Sequence, residues 1–189
     1  MAGFMEEQDH AMTTHFRCSA HTRVPKFLLS DSNHQDRTEY LLFFDGGSRG
    51  NPGPGGAGAV IVHINQNNRA ASVTWAASMA YANKAITNNA AEYRGLLIGL
   101  RHAYNHALEP LHVIGDNAMV ITQQRIRKSS TNPRLAALYR ATKALANVLG
   151  VQSWSHHCRE YNKMANCAAN VTIDTHHSQQ VKQGHSSDK

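Results

Sequence analysis

Three carboxylates carry the first chemical signal in this chain. Asp45 closes a short aromatic and apolar run over 39–44, Asp116 closes a second over 110–115, and Glu92 falls in the first turns of an amphipathic stretch. An unpaired charge at the end of an apolar strand is costly unless a cation or partner offsets it. Strand ends are also where functional groups converge in open α/β sheets. The two aspartates could equally begin ordinary turns, a frequent use of that residue. If the three acids gather, their hard oxygens suit Mg²⁺ or Mn²⁺ rather than zinc.

The elements that must position them follow from the residue pattern. Residues 39–44 read as a buried strand, 56–64 as a second rich in β-branched residues, and 70–79 as a third, together an antiparallel meander. Thr87 or Asn88 caps a long helix reaching to about residue 107, with Leu96, Leu97, Leu100 and Ala103 on its buried stripe. A fourth strand over 110–115 leads to a short helix over 118–127. Pro133 suits the first turn of another helix, with Leu135, Leu138, Leu145 and Leu149 inward and Gly150 at its end. Residues 151–156 form a fifth strand and 162–173 a last helix. The order βββαβααβα predicts an α/β fold: a mixed five-stranded sheet with helices on both faces. The glycines over 53–58 fit G-x-G-x-x-G, but a strand follows them and the next acid is Glu92. A dinucleotide site needs a helix there, so the segment reads instead as a tight turn joining the first two strands.

Charge and composition bound the rest. The 189 residues carry 19 Lys+Arg against 13 Asp+Glu, and the excess is unevenly placed. Residues 1–37 hold four basic and five acidic side chains, whereas 38–174 hold thirteen and seven. The first 37 residues are polar without a sustained period and read as a disordered arm. The folded domain is expected over 38–175, followed by a frayed tail over 176–189. The stretch 125–143 carries Arg125, Arg127, Lys128, Arg134, Arg140 and Lys143 with no acid, which favours a phosphate-facing patch over a mixed solvated face. Cys18, Cys158 and Cys167 match no zinc spacing and read as reduced thiols. No apolar run approaches the ~18 residues a membrane helix needs. Glu6, Glu7 and Asp9 interrupt any N-terminal targeting stretch. A monomeric intracellular protein, cytoplasmic or nuclear, without membrane or protein partners, is the expectation.

The motif Asp45-Gly46-Gly47-Ser48-Arg49-Gly50-Asn51-Pro52-Gly53-Pro54-Gly55-Gly56-Ala57-Gly58 closely resembles the opening motif of type 1 ribonucleases H. The likeness continues through Thr87-Asn88-Asn89-Ala90-Ala91-Glu92-Tyr93-Arg94-Gly95-Leu96 and Ile114-Gly115-Asp116-Asn117. Asn132-Pro133-Arg134-Leu135-Ala136 and Arg159-Glu160-Tyr161-Asn162-Lys163 are similar to the short forms of archaeal, plant and some bacterial members. The resemblance implies an endonuclease that cuts the RNA strand of RNA–DNA hybrids with two Mg²⁺ ions, Mn²⁺ being a possible substitute. In such a mechanism the cations lie about 4 Å apart, activate water and stabilise the leaving oxygen. It implies that Asp45 bridges both ions, that Glu92 and Asp116 hold one of them, and that Ser48, Asn51, Asn88 and Asn89 contact the hybrid. It also places His156 where some members keep a mobile histidine for product release or proton transfer, a role suited to a near-neutral pKa. The basic segment, with Arg125, Arg127 and Lys128, would grip phosphates, though it lacks the tryptophan that such segments often carry.

One position departs from the family. Its last motif ends in Ala-Asp, the Asp being the fourth metal ligand, and here the pair reads Ala165-Asn166. An amide offers a neutral oxygen but removes one negative charge from the site. Asp174 lies eight residues further on, about 12 Å along a helix axis, and does not substitute. Glu160 falls in the preceding loop. Two outcomes are therefore expected to compete: a hybrid-specific nuclease, slower or more metal-demanding, and an impaired domain that binds nucleic acid without cutting it.

Overall fold

The computed structural model describes residues 38–68, 70–157, 162–175 and 177–182, with the side chains of 82–84 excepted. The arm expected over 1–37 lies outside them, as do Cys18, Cys158, Arg159 and Glu160. Six strands and four helices are described: β1 (Thr38–Ser48), β2 (Gly53–Asn65), β3 (Ala70–Ile86), α1 (Asn88–Asn105), β4 (Leu111–Gly115), α2 (Ala118–Ile126), α3 (Pro133–Val148), β5 (Ser153–His156), α4 (Lys163–Thr175) and β6 (Gln179–Lys182). The strands form one mixed sheet in the order β5-β4-β1-β2-β3-β6. Neighbours β1/β2, β2/β3 and β3/β6 are antiparallel, whereas β1/β4 and β4/β5 are parallel.

Alternation along the strands divides the core between two faces. Leu42, Phe44, Ala59 and Ile61 join Tyr93, Leu96 and Leu100 of α1, Val120 and Ile121 of α2, and Tyr139 and Ala146 of α3 in one cluster. The opposite face receives α4, whose Met164, Ala165, Ala168, Ala169 and Ile173 are buried. Helices therefore cover both faces, as the element order predicts. Thr87 caps α1 by accepting a hydrogen bond from the Ala90 amide at 3.3 Å, and Asn132 caps α3 ahead of Pro133.

Three expectations need correction. The sheet has six described strands rather than five, and the sixth lies in the segment expected to fray. β6 carries no period of its own; it is held by pairing with Trp75–Ser78 of β3 and by Lys182, whose Nζ donates to His106 Nε2 at 3.0 Å. The third strand runs seven residues beyond the expected end at Met79 because β2 continues to pair with it as far as Gly53↔Ile86. The glycines over 53–58 belong to β2 itself, not to the turn. A Cβ on Gly58 would sit 2.4 Å from the Ala165 carbonyl oxygen, so close approach of α4 is what requires glycine there. None of the described helices is long and apolar enough to cross a membrane.

Candidate active site

Asp45 does not end its strand as expected, because β2 keeps pairing with β1 as far as Ser48. It lies one residue past the stretch that pairs with β4, Asp116 follows β4, and the parallel pairing Phe44↔Gly115 brings the two acids level. Glu92 comes from the second turn of α1. That helix lies hard against β1: a Cβ on Gly46 would sit 2.2 Å from the Ala91 carbonyl carbon, and one on Gly95 would sit 2.5 Å from the Asp45 carbonyl oxygen. The two glycines let the backbones meet, and the result is a cluster. One carboxylate oxygen from each of Asp45, Glu92 and Asp116 lies within 4.8 Å of the others. Asp45 is 2% exposed and Glu92 7%, while Asp116 is half-buried. Like charges this close, two of them buried, repel strongly unless a cation compensates them. The donor set, all carboxylate oxygen, fits a hard divalent cation.

The neighbours hold the acids from several sides. The Gly46 amide donates to Asp45 Oδ1 at 2.7 Å. His156, exposed at the end of β5, places Nε2 3.1 Å from the Asp116 carbonyl oxygen, which accepts from the ring N–H. Burial, and secondarily the neighbouring His156, push the His157 pKa down.

Ser48, Asn51 and Asn88 form one network beside the cluster. Asn88 Oδ1 accepts from the Ser48 amide at 2.9 Å and from its hydroxyl at 2.8 Å, while the Asn88 amide donates to Asn51 Oδ1 at 3.2 Å. Asn89 joins from the other side, its Oδ1 accepting from Asn117 Nδ2 at 3.1 Å. Asn117 also caps α2 through the Val120 amide. Arg125, Arg127 and Lys128 stand apart from this network, exposed at the carboxyl end of α2. Lys143 does not join them. Its Nζ donates to the Gln124 carbonyl at 3.1 Å, and burial followed by the nearby Arg127 lowers its pKa.

Asn166 sits on α4, one turn after Asn162, whose Nδ2 donates to the Phe44 carbonyl at 2.7 Å and so ties the helix start to β1 immediately before Asp45. Asp45 and Gly58 are opposite in the β1/β2 register and share a face of the sheet, the face that α4 covers. The Asn166 Oδ1 accepts from Asn170 Nδ2 at 2.7 Å. Asp174 is engaged elsewhere, in an ion pair with Arg49. Asn117, Asn162 and Asn170 are the residues that sequence reasoning overlooks. Asn162 sits inside a quoted motif and Asn117 directly follows Asp116, but neither type nor spacing reveals a supporting hydrogen bond.

A mixed sheet with this strand order, helices on both faces and three acids gathered where β1, the end of β4 and the first helix meet defines the ribonuclease H-like class. The family model described as "Reverse transcriptase-like" matches residues 43–172. The chain belongs to this family, in its type 1 ribonuclease H branch. It is similar to Bifunctional protein Rv2228c of Mycobacterium tuberculosis, 36% identical over 130 residues, 69% of this chain and 34% of that protein. It is also similar to Ribonuclease HI of Halobacterium salinarum, 30% identical over 137 residues, 70% of this chain and 63% of that one. The chain thus spans 34% of the length of the first curated relatives and 63% of the archaeal one. Among solved structures, the N-terminal RNase H domain of Rv2228c matches with a TM-score of 0.64 and 33% identity, over 74% of this chain and 96% of that one. RNase H1 from Halobacterium salinarum matches with 0.62 and 27%, over 72% and 98%.

Proposed function

We propose that this domain hydrolyses the RNA strand of RNA–DNA hybrids at the Asp45–Glu92–Asp116 cluster. The observation that supports it most is the cluster itself, three acids within 4.8 Å of one another in a chain of the ribonuclease H family. Asp45, Glu92 and Asp116 would hold Mg²⁺ or Mn²⁺, which when bound activates the attacking water and stabilises the leaving 3′ oxygen. The chain's own residues do the positioning. Ser48, Asn51, Asn88 and Asn89 meet the minor groove, where 2′-hydroxyls distinguish RNA from DNA. With its oxygen taken by Asn117, Asn89 acts there as a donor. Arg125, Arg127 and Lys128 contact phosphates irrespective of sequence. His156, held against the Asp116 carbonyl yet open to solvent, serves proton exchange as product leaves.

Asn166, where the resemblance places a fourth carboxylate, has only a neutral oxygen to offer. One observation favours a second reading, a hybrid-binding domain that does not cut: that oxygen already accepts from Asn170. Incubation of a strand-labelled hybrid with Mg²⁺ or Mn²⁺ separates the two. RNA cleavage by the wild type, lost in Asp45→Asn, supports the nuclease. No cleavage by the wild type under either metal, with cleavage restored in Asn166→Asp, supports the binding domain.

A further inference from the structure

The feature left unexplained by the proposed reaction is the line of asparagines along one stripe of α4. Asn162, Asn166 and Asn170 recur every four residues, the spacing that stacks side chains on one helix face. The first is buried and donates to the Phe44 carbonyl, anchoring the stripe beside Asp45. The second stands where the family keeps its fourth carboxylate. The third, exposed, donates its Nδ2 to the Asn166 Oδ1 at 2.7 Å, a short and well-placed bond.

An amide has two different ends. Its oxygen attracts a cation, and its N–H₂ group repels one. A donor one turn along the helix that claims the oxygen therefore decides which end of Asn166 is available at the cluster. The α4 backbone is close enough for this to matter, because the Ala165 carbonyl and the Ala169 amide both crowd Gly58, the residue opposite Asp45. An aspartate at 166 would not be limited in this way, since a carboxylate has two oxygens and could give one to Asn170 while keeping the other.

We propose that Asn170 is a positioning residue that draws the Asn166 oxygen along the helix and withholds it from a divalent cation at the Asp45 side of the cluster. The missing carboxylate is thereby felt twice: the charge is gone, and the remaining oxygen is turned along the helix toward Asn170 with one of its two lone pairs engaged. This inference rests on reading the cluster as a two-cation site.

The test is a titration of the full chain with Mn²⁺, without nucleic acid, following free Mn²⁺ by electron paramagnetic resonance. The wild type is expected to bind one ion well and a second weakly. Asn170→Ala and Asn170→Leu, which remove the donor from an exposed helical position, are expected to tighten the second ion roughly five-fold, the scale of one net hydrogen bond. Asn166→Asp is expected to tighten it further and to be insensitive to Asn170→Ala. Titration curves of both Asn170 variants that superimpose on the wild type, or show weaker binding, overturn the inference. If Asn166→Asp gains a second ion while the Asn170 variants do not, only the role of Asn170 falls. If no variant binds Mn²⁺, the cation reading of the cluster falls with it. Neither result depends on hybrid cleavage.

Discussion

Asp45 is a charge placed where an apolar side chain would be more stable. It is nearly inaccessible, adjacent to two other acids, and preceded by the buried run Leu41 to Phe44. On the proposed reading, the acid at this position acts against stability in the metal-free protein. Asp45→Asn is expected to raise the melting temperature measured in a chelator by a few degrees, on the scale of ~1–3 kcal/mol for relieving one buried repulsion. The same variant is expected to lose the stabilisation that added Mg²⁺ gives the wild type, and to cut hybrid at least about a hundredfold more slowly. Calorimetry with and without Mg²⁺, beside the cleavage assay, checks both. Asn166→Asp is expected to act in the opposite sense, lowering the Mg²⁺ concentration needed for half-maximal cleavage by about tenfold, which a metal titration of initial rates measures.

At the scale of elements, close backbone contact decides the geometry. α1 and α4 approach β1 and β2 through glycines, so Gly58→Ala should push α4 outward and destabilise the fold by about 1–3 kcal/mol in urea denaturation. A second element-level effect lies at the end of α1. His102 is stacked between Trp75 and His106, each ring 4.0 Å away, and burial, then His106 and Lys182, lower its pKa to about 4. The unfolded chain holds the extra proton between about pH 6.5 and 4, so stability should fall as pH drops through that window. Thermal melts across it should show the loss, and His102→Phe, which keeps a ring in the stack, should flatten it. Much of this architecture is legible in the chain. Periodicity and caps reveal α1, α3 and the meander, whereas spacing leaves Asp45 and Asp116 open as turn residues and it is the motif resemblance that joins them with Glu92. What stays hidden is set by partners distant in sequence. β6 exists because β3 offers it hydrogen bonds, the Gly53–Gly58 stretch is strand because β1 and β3 pair with it, and Asn162 matters because Phe44 exposes a carbonyl to it.

At the scale of the whole molecule, the described residues include one local concentration of each sign of charge. Asp45, Glu92 and Asp116 collect where β1, β4 and α1 meet, and exposed Arg125, Arg127, Lys128, Arg134 and Arg140 lie on and beyond α2. Replacing Arg125, Arg127 and Lys128 together by alanine is expected to weaken hybrid binding. It should also reduce the slope of log affinity against log salt by about one unit for each phosphate that is no longer neutralised. Fluorescence anisotropy at several salt concentrations measures it. The sheet's outer strand has a different consequence. β3 is 17 residues long, and along Trp75–Ser78 its outward N–H and C=O groups are taken by β6. A long strand with that row exposed is a template for pairing with another molecule. Ending the chain after Ser178 should leave the cleft chemistry intact yet produce concentration-dependent aggregates in light scattering. By that expectation, four residues at the far edge of the sheet from the acids would set how crowded a solution this protein can tolerate.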